Sequence, residues 1–82
     1  MKYVLFYEPG DVNAKAPLHA DAHGAWFERF HQSGTLLMIG PFANAQEEGA
    51  MGIFTSRDAA EKFANGDPFV LNGVVSNWFV RE

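Results

Sequence analysis

The sequence contains no cysteine, and this absence excludes several classes of protein at once. A disulfide-stapled fold, a thiolate nucleophile and a metal site built on cysteine sulfur are all ruled out. The chain also lacks any apolar run near the roughly 20 residues that a membrane-spanning helix needs. Residues 1–7 lack the basic stretch, long apolar core and small-residue cleavage site of a signal peptide. These absences together predict a cytoplasmic protein.

Positive charge is scarce in this chain. Six Lys and Arg stand against ten Asp and Glu, which gives a formal net charge of −4 at pH 7. The six are scattered along the sequence, whereas nucleic acids and anionic membrane surfaces are bound by concentrated basic patches. We therefore expect neither nucleic acid nor a membrane among the partners.

Apolar and aromatic residues, by contrast, are abundant. Hydrophobic residues make up 48% of the 82 residues and aromatic residues 15%, including eight Phe. This length and composition predict one globular domain over residues 1–82. Because a domain of about 60 residues buries only about 60% of its unfolded surface, part of this apolar surface is expected to lie in an oligomer interface.

The strand-forming residues are grouped into four segments. They predict strands at residues 2–7, 35–42, 50–55 and 74–81. The intervening segments at residues 8–16, 44–49 and 67–73 are predicted to be turns or loops. With one helix after the first strand and one after the third, the order is β-α-β-β-α-β. This order is the ferredoxin-like α+β arrangement, an antiparallel sheet with helices on one face.

The helices are predicted from periodicity and from their end signals. One is expected over residues 18–33, and one is expected to start at Thr55 or Ser56 and to stop at Asn65-Gly66. In the first, a bulky or small apolar residue recurs every four positions from Leu18 to Phe30. Pro17 is expected in its first turn and Gly34 just past its end.

Both faces of the predicted sheet are apolar, because alternate strand residues point to opposite sides. In the first strand the two sets are Tyr3, Leu5 and Tyr7 against Val4 and Phe6. In the second strand one face carries Leu36, Met38 and Gly40. In the last strand Val75, Asn77 and Phe79 lie on the face opposite to that of Trp78 and Val80. Two helices cover only one face, so we expect a homodimer packed sheet to sheet, with about 10 Å between layers. The alternative is a monomer with an exposed apolar sheet.

Three histidines are candidates for proton transfer, since the unperturbed pKa of His lies nearest neutrality. His19 and His23 lie four residues apart and share a helix face with Trp26, directed at the core or its edge. His31 lies off that face. Two interpretations stay open, a structural histidine satisfied by a hydrogen bond and an acid/base group. A zinc site would need a third ligand and the HExxH pattern is absent, so no metal site is predicted.

The tripeptide Asp67-Pro68-Phe69 follows the end of the second helix. One interpretation is a simple turn, because Asp favours turn starts and Pro fixes the backbone after it. The other is a carboxylate held rigidly to orient or charge a histidine. No phosphate-cradling glycine loop and no serine nucleophile elbow occur, so no cofactor is predicted.

The order of these motifs resembles the YciI-like (YCII-related) proteins. In that family a helix histidine is followed, about one helix length later, by an apolar strand that ends in Gly-Pro. Here His23 precedes the sequence GTLLMIGP at residues 34–41. The family's Asp-Pro-aromatic motif, followed closely by Gly, corresponds to residues 67–69 and Gly73. The match spans essentially the whole chain.

The resemblance implies a dimeric α/β barrel of two ferredoxin-like subunits and a His–Asp pair in a cleft. By motif position the pair is His23 and Asp67, and His19 and His31 match no family position. Related dimeric barrels include isomerases, monooxygenases and elimination enzymes acting on small, often aromatic or lactone, compounds. A basic residue often precedes the family histidine by about one turn, but Ala20 stands there in this chain. The charge of the substrate is thereby left open.

Two hypotheses from different classes follow. The first is a small cofactor-independent enzyme of isomerase or lyase type, in which His23 is the general acid/base and Asp67 holds its tautomer and stabilises the imidazolium. The candidate aromatic walls for a flat substrate are Trp26, Phe42 and Phe69. The second is a non-enzymatic dimeric small-ligand-binding or accessory module, whose pocket holds a ligand or is vestigial and in which the pair is a structural hydrogen bond. A pair that opens to a cleft favours the first.

Overall fold

The computed structural model describes residues 1–82. The elements in chain order are β1 (Tyr3–Pro9), α1 (Val12–Gln32), β2 (Leu36–Pro41), α2 (Ala45–Glu48), β3 (Ala50–Phe54), α3 (Arg57–Gly66), α4 (Pro68–Leu71) and β4 (Val75–Arg81). The strands form one antiparallel sheet in the order β2-β3-β1-β4. The two long helices pack on the same face of this sheet. The predicted ferredoxin-like α+β fold is confirmed.

The first helix begins six residues earlier than predicted. Its N-cap is Asp11, whose side chain accepts a hydrogen bond from the Ala14 N–H, so α1 starts at Val12 and carries Pro17 inside it. Pro17 cannot donate to the Asn13 carbonyl, but Asn13 is exposed, so water can reach that acceptor. Placing Pro17 in the first turn was wrong, because the capping carboxylate, and not the proline, sets where the helix starts.

Two segments predicted as turns or loops each contain one helical turn. Asn44 caps α2 through its side chain, and Asp67 caps α4 in the same way. Asx side chains favour both turns and helix N-caps, so composition alone does not separate the two. Of the two residues proposed to start α3, Ser56 is the N-cap, since its hydroxyl accepts from the Ala59 N–H.

A bulge in β2 changes which residues face the core. Leu36 pairs with Phe54 while Met38 pairs with Ile53, so β2 carries one extra residue between them. Since Phe54 and Ile53 point to opposite faces, Leu36 enters the core and Met38 is 63% exposed on the other side. The prediction that Leu36 and Met38 share a face was wrong, because strict alternation holds only where the register is unbroken.

A second register shift changes which residues of β4 face the core. In the pairing of β4 with β1, Glu8 pairs with Asn77 but Pro9 pairs with Val75, so β4 carries one extra residue between them. Val75 is buried in the core together with Val80, and Trp78 packs against the same cluster. Grouping Val75 with the residues opposite Trp78 was therefore also wrong, for the same physical reason.

The core lies between the sheet and α3. Four residues of α3 are fully buried, Ala59, Ala60, Phe63 and Ala64, and three of them are small enough to bring the helix close to the sheet. α1 places no residue fully in the core, and Leu18 is 76% exposed. The C-terminal half of α1 packs against the core through Trp26, Phe27 and Phe30. Its N-terminal half stands over a cleft instead, which determines where a ligand could enter.

The opposite side of the sheet, here called the outer sheet face, has no cover within the chain. Its apolar residues, assigned from the strand register, are Val4, Phe6, Met38, Met51, Ile53 and Phe79. The Phe6 and Phe79 rings stack with centroids 5.2 Å apart. The prediction of a second apolar face is confirmed by this register.

None of the helices combines the length and the apolarity that crossing a bilayer requires.

Gly49, just before β3, is the position where an added methyl group is expected to be most costly. Its φ is 79° with ψ −145°, a region that only glycine visits readily, and a Cβ would lie 1.9 Å from the Tyr7 carbonyl oxygen. We expect Gly49→Ala to lower the free energy of unfolding by about 2–3 kcal/mol in urea titration. Gly34 is the matched control, with φ 83° but open space around it. There we expect about 1 kcal/mol, and equal losses would contradict the close approach at Gly49.

Candidate active site

Asp67 is held at the junction between α3 and α4. It is both the C-cap of α3 and the N-cap of α4. Its Oδ1 accepts a hydrogen bond from the Phe69 N–H at 3.0 Å. Pro68 occupies the first position of α4, where its fixed φ suits the helix and its missing N–H costs nothing. The Asp-Pro-Phe motif therefore directs one carboxylate inward from a rigid corner.

His23 meets this carboxylate from α1. The Nδ1 atom of His23 lies 2.8 Å from Oδ1 of Asp67. The Asp67 side chain is fully buried, and that of His23 is 15% exposed. No other charged side chain pairs with Asp67. The structure thus brings together the two residues, 44 positions apart in sequence, that the sequence analysis selected.

Aromatic rings fix the orientation of the His23 imidazole. The Phe69 ring stacks on it with centroids 3.8 Å apart and an interplanar angle of 6°. Phe27 meets it edge-on with centroids 5.3 Å apart. The stack fixes the plane of the imidazole, and the bond to Asp67 fixes which ring nitrogen faces the carboxylate, so the two contacts together hold the ring in one orientation.

Tyr7 is the member of this site that the sequence analysis missed. Its hydroxyl donates to Oδ2 of Asp67 at 2.6 Å, so the carboxylate accepts from Tyr7, His23 and the Phe69 N–H. Burial raises the pKa of Tyr7 far above its ordinary value, and the charge of Asp67 and the hydrogen bond to it raise that pKa further. The position of Tyr7 in the sequence could have predicted this role. Tyr7 is the last of the alternating residues of β1 that face the core, and a buried tyrosine hydroxyl needs a hydrogen-bond partner.

Alkaline pH is expected to destabilise the fold through Tyr7. Its folded pKa lies above the unfolded value of about 10, so the unfolded state loses the proton first. The contribution of Tyr7 is complete below about pH 10 and is lost above it, by about 1.4 kcal/mol per pH unit. Urea midpoints measured across this range should fall steeply for the wild type and less steeply for Tyr7→Phe. Tyr3→Phe, in the same strand, should retain the wild-type slope, and an unchanged slope in Tyr7→Phe would contradict this role.

A partly open cleft of about 470 Å³ lies beside the pair. The sheet, the first half of α1 and the start of α2 enclose it. Gln46 of α2 bonds to the Asn13 N–H and to the Gly10 carbonyl, which holds α2 against the start of α1. Its walls are largely apolar and include Leu5, Val12, Ala16, Ile39, Phe69 and Val74. Small-molecule sites typically measure about 300–1,000 Å³, so the cleft has the size of one.

The hydrogen bond to Asp67 determines which imidazole nitrogen is left for a ligand. Because a carboxylate only accepts, Nδ1 carries the proton in the pair and Nε2 of the neutral ring holds a lone pair. Nε2 makes no hydrogen bond within the chain and is not sealed in the interior, and His23 lines the cleft. The arrangement offers one basic nitrogen at the wall of an apolar cavity, the geometry of a general base.

The three aromatic residues expected around the substrate are placed differently. Phe69 lines the cleft, and Trp26 and Phe42 do not. The Trp26 Nε1–H donates to the Phe63 carbonyl at 2.9 Å, and its ring lies against Gly66, so Trp26 secures the end of α3 that carries Asp67. Phe42 is 38% exposed beyond the end of β2.

The remaining histidines lie apart from the pair. His31 is exposed and lies 3.7 Å from a Glu28 carboxylate oxygen. His19 is half-buried one turn before His23 and makes no hydrogen bond through its side chain. No group of three or more His, Asp or Glu residues is arranged so that it could hold a metal ion.

The whole chain is similar to a known protein family and to a solved structure. A family model described as the YCII-related domain matches residues 1–82. No curated protein matches the chain. Among solved structures, the chain is similar to the 5-chloro-2-hydroxyhydroquinone dehydrochlorinase of Burkholderia phenoliruptrix AC1100, in a complex with 2,5-dihydroxybenzoquinone. The TM-score is 0.78 at 20% identity, over 100% of this chain and 92% of that one, a likeness that shows the fold.

Proposed function

The chain belongs to the YCII-related domain family, and on that premise we propose that it is a small acid–base enzyme of isomerase or lyase type. His23 is the general acid/base for a small organic substrate, aromatic or lactone in type. Asp67 holds the Nδ1–H tautomer of His23 and stabilises the imidazolium that forms when Nε2 takes a proton. The side chains alone carry this proton transfer, so the proposal includes no cofactor.

One observation carries the proposal. Asp67 engages Nδ1 of His23, Nε2 has no hydrogen-bond partner within the chain, and His23 lines the apolar cleft. A purely structural pair has no need of a cleft, and a catalytic pair must reach one. The cleft therefore favours a catalytic pair over a sealed structural pair, and the binding module, which also needs a pocket, is separated from the enzyme by the exchange experiment below.

The proton balance of the proposed step is simple. A C–H or O–H bond of the substrate breaks, its proton moves to Nε2 of His23, and the electron pair stays on the substrate. In an isomerisation the same proton then returns to another substrate atom. In an elimination the leaving group departs with its bonding electrons, and Nε2 releases the proton to the leaving group or to water. The similar fold of a protein named a dehydrochlorinase supports including eliminations in the search.

Proton exchange tests the proposal because it reports the first step alone, whichever reaction follows that step. Candidate phenols, lactones and halogenated aromatics are incubated with the protein in D₂O, and deuterium incorporation is followed by NMR. We expect at least one compound to exchange faster than with free imidazole at the same concentration. If these compounds bind but none exchanges faster than with imidazole, the enzymatic proposal is contradicted and the binding module is supported.

The proposed assembly is a homodimer formed by packing two outer sheet faces together. The apolar residues of that face are uncovered in the single chain, and a monomer rarely exposes so continuous an apolar surface. A second copy of the same face would bury it under a two-fold axis, as the resemblance to dimeric α/β barrels also implies.

Sedimentation equilibrium tests the dimer. We expect the wild type to sediment at twice its chain mass of 9.1 kDa. Phe6→Glu, which places a carboxylate in the outer sheet face, should shift the protein to monomer because burying that charge unpaired is costly. Leu71→Glu is the control, since Leu71 is 67% exposed on α4, away from the sheet. A monomeric wild type would refute the assembly.

A further inference from the structure

The cleft contains no permanently cationic side chain. Lys and Arg are absent from the residues that line it. Lys15 directly precedes Ala16, which lines the cleft, but Lys15 itself is exposed on α1 and is not a lining residue. Its ammonium group lies beside Gly73. A carboxylate or phosphate entering the cleft would therefore find no lysine or arginine counter-ion within it.

The polar side-chain groups that face the cavity are few. Glu8 belongs to the lining, but its carboxylate accepts from the Asn77 amide at 2.7 Å on the outer side of the sheet. The Tyr7 hydroxyl already donates its one hydrogen bond to Asp67, so it offers a ligand only its oxygen lone pairs. The remaining polar side-chain atom is Nε2 of His23, which in the neutral ring is also an acceptor. Through its side chains the cleft thus presents acceptors and apolar surface.

The buried carboxylate of Asp67 adds to the penalty for an anion. It lies directly behind the imidazole and accepts hydrogen bonds from Tyr7, His23 and the Phe69 N–H. It is completely shielded from water. An anionic ligand would lose its hydration without gaining a lysine or arginine partner, and it would be repelled by Asp67. A neutral ligand meets neither penalty, and it can donate a hydrogen bond to Nε2.

From these contacts we infer that the cleft selects neutral, largely apolar molecules that carry one acidic hydrogen, and rejects their carboxylate or phosphate counterparts. The inference rests on the proposed function in taking the His23 cleft as the substrate site. It also constrains the chemistry. When the proton moves from the substrate to Nε2, substrate anion and imidazolium form together, so the net charge of the cleft does not change. No other cation is present to hold the anion, so it stays paired with His23 until the proton returns or a leaving group departs.

A pair of ligands of nearly identical shape tests the selection, namely 2-naphthamide, which is neutral, and 2-naphthoate, which is anionic at neutral pH. Calorimetric titration of the wild type is expected to show at least about tenfold tighter binding of the amide, because the carboxylate would be buried without a partner. Equal affinity, tighter binding of the carboxylate, or binding of neither ligand would overturn the inference.

A charge placed in the cleft provides the second arm. Ala16 lines the cleft on α1, and Ala16→Lys is expected to reverse the preference in favour of 2-naphthoate. Ala14→Lys adds the same charge two residues away at an exposed position outside the lining, and it should keep the wild-type preference. A reversal in both variants would mean that general charge decides, and would overturn the inference. If Ala16→Lys does not fold, as judged by circular dichroism, the wild-type pair of titrations still decides.

These measurements separate the inference from the proposed function. Ligand preference is read without turnover, so failure to find proton exchange leaves it standing. Conversely, accelerated exchange of carboxylate substrates alone would overturn the neutral-ligand selection while supporting the acid–base role of His23.

Discussion

Replacing His23 by Gln is expected to lower the rate of substrate proton exchange by about 10²–10⁴-fold, the usual contribution of a positioned acid/base group. Gln has an amide that can donate to Asp67, so the buried carboxylate keeps a partner, but it has no nitrogen that takes up a proton. The fold is therefore retained while the proton acceptor is removed. The measurement is deuterium incorporation into whichever compound the wild type exchanges.

Two other histidines of the chain provide matched controls for this variant. His19→Gln makes the same substitution one turn earlier on α1, and His31→Gln makes it on the exposed side of that helix. Neither residue lines the cleft, so both variants should exchange substrate at the wild-type rate. An unchanged rate in His23→Gln would remove His23 from the mechanism.

Asp67→Ala is expected to lower the free energy of unfolding by about 3–5 kcal/mol. The substitution leaves the Tyr7 hydroxyl, the His23 Nδ1–H and the Phe69 N–H without their acceptor in a site that water does not reach. For a domain of this size the melting temperature should fall by at least about 12 °C, measured by circular dichroism.

The matched control for Asp67 is Asp21, an exposed aspartate in the middle of α1 without a hydrogen-bond or ion-pair partner. Asp21→Ala should change the free energy of unfolding by no more than about 0.5 kcal/mol. If Asp67→Ala were as mild, the three hydrogen bonds would not contribute to stability. Asp67 would then have to be explained by function alone.

Much of the secondary structure could be predicted because its causes are local. The Gly34 turn, the Ser56 cap and the four strands each depend on residues within a few positions of one another. The start of α1 was mispredicted although its signal is also local, since Asp11 and Pro17 are both helix-start residues. Only the structure shows which of them caps the helix.

The bulges could not be predicted from one strand at a time. A register shift is a property of two paired strands, and nothing within β2 itself distinguishes Leu36 from Met38 as a core residue. Tyr7 was missed for a related reason. Its hydroxyl acquires a role only when α3 brings Asp67, 60 positions away in sequence, within hydrogen-bond distance.

By itself, the sequence determined the fold class, because apolar periodicity and turn residues are written along the chain, and its resemblance to the YCII-related proteins selected His23 and Asp67 as a candidate pair. The tertiary structure alone decided that Tyr7 completes the pair's hydrogen bonds, that Trp26 lies outside the cleft, and that no lysine or arginine lines it. The physical reason is that hydrogen bonds, burial and cavity electrostatics depend on distances between residues far apart in sequence. Those distances exist only after α1 and α3 have packed against the same sheet.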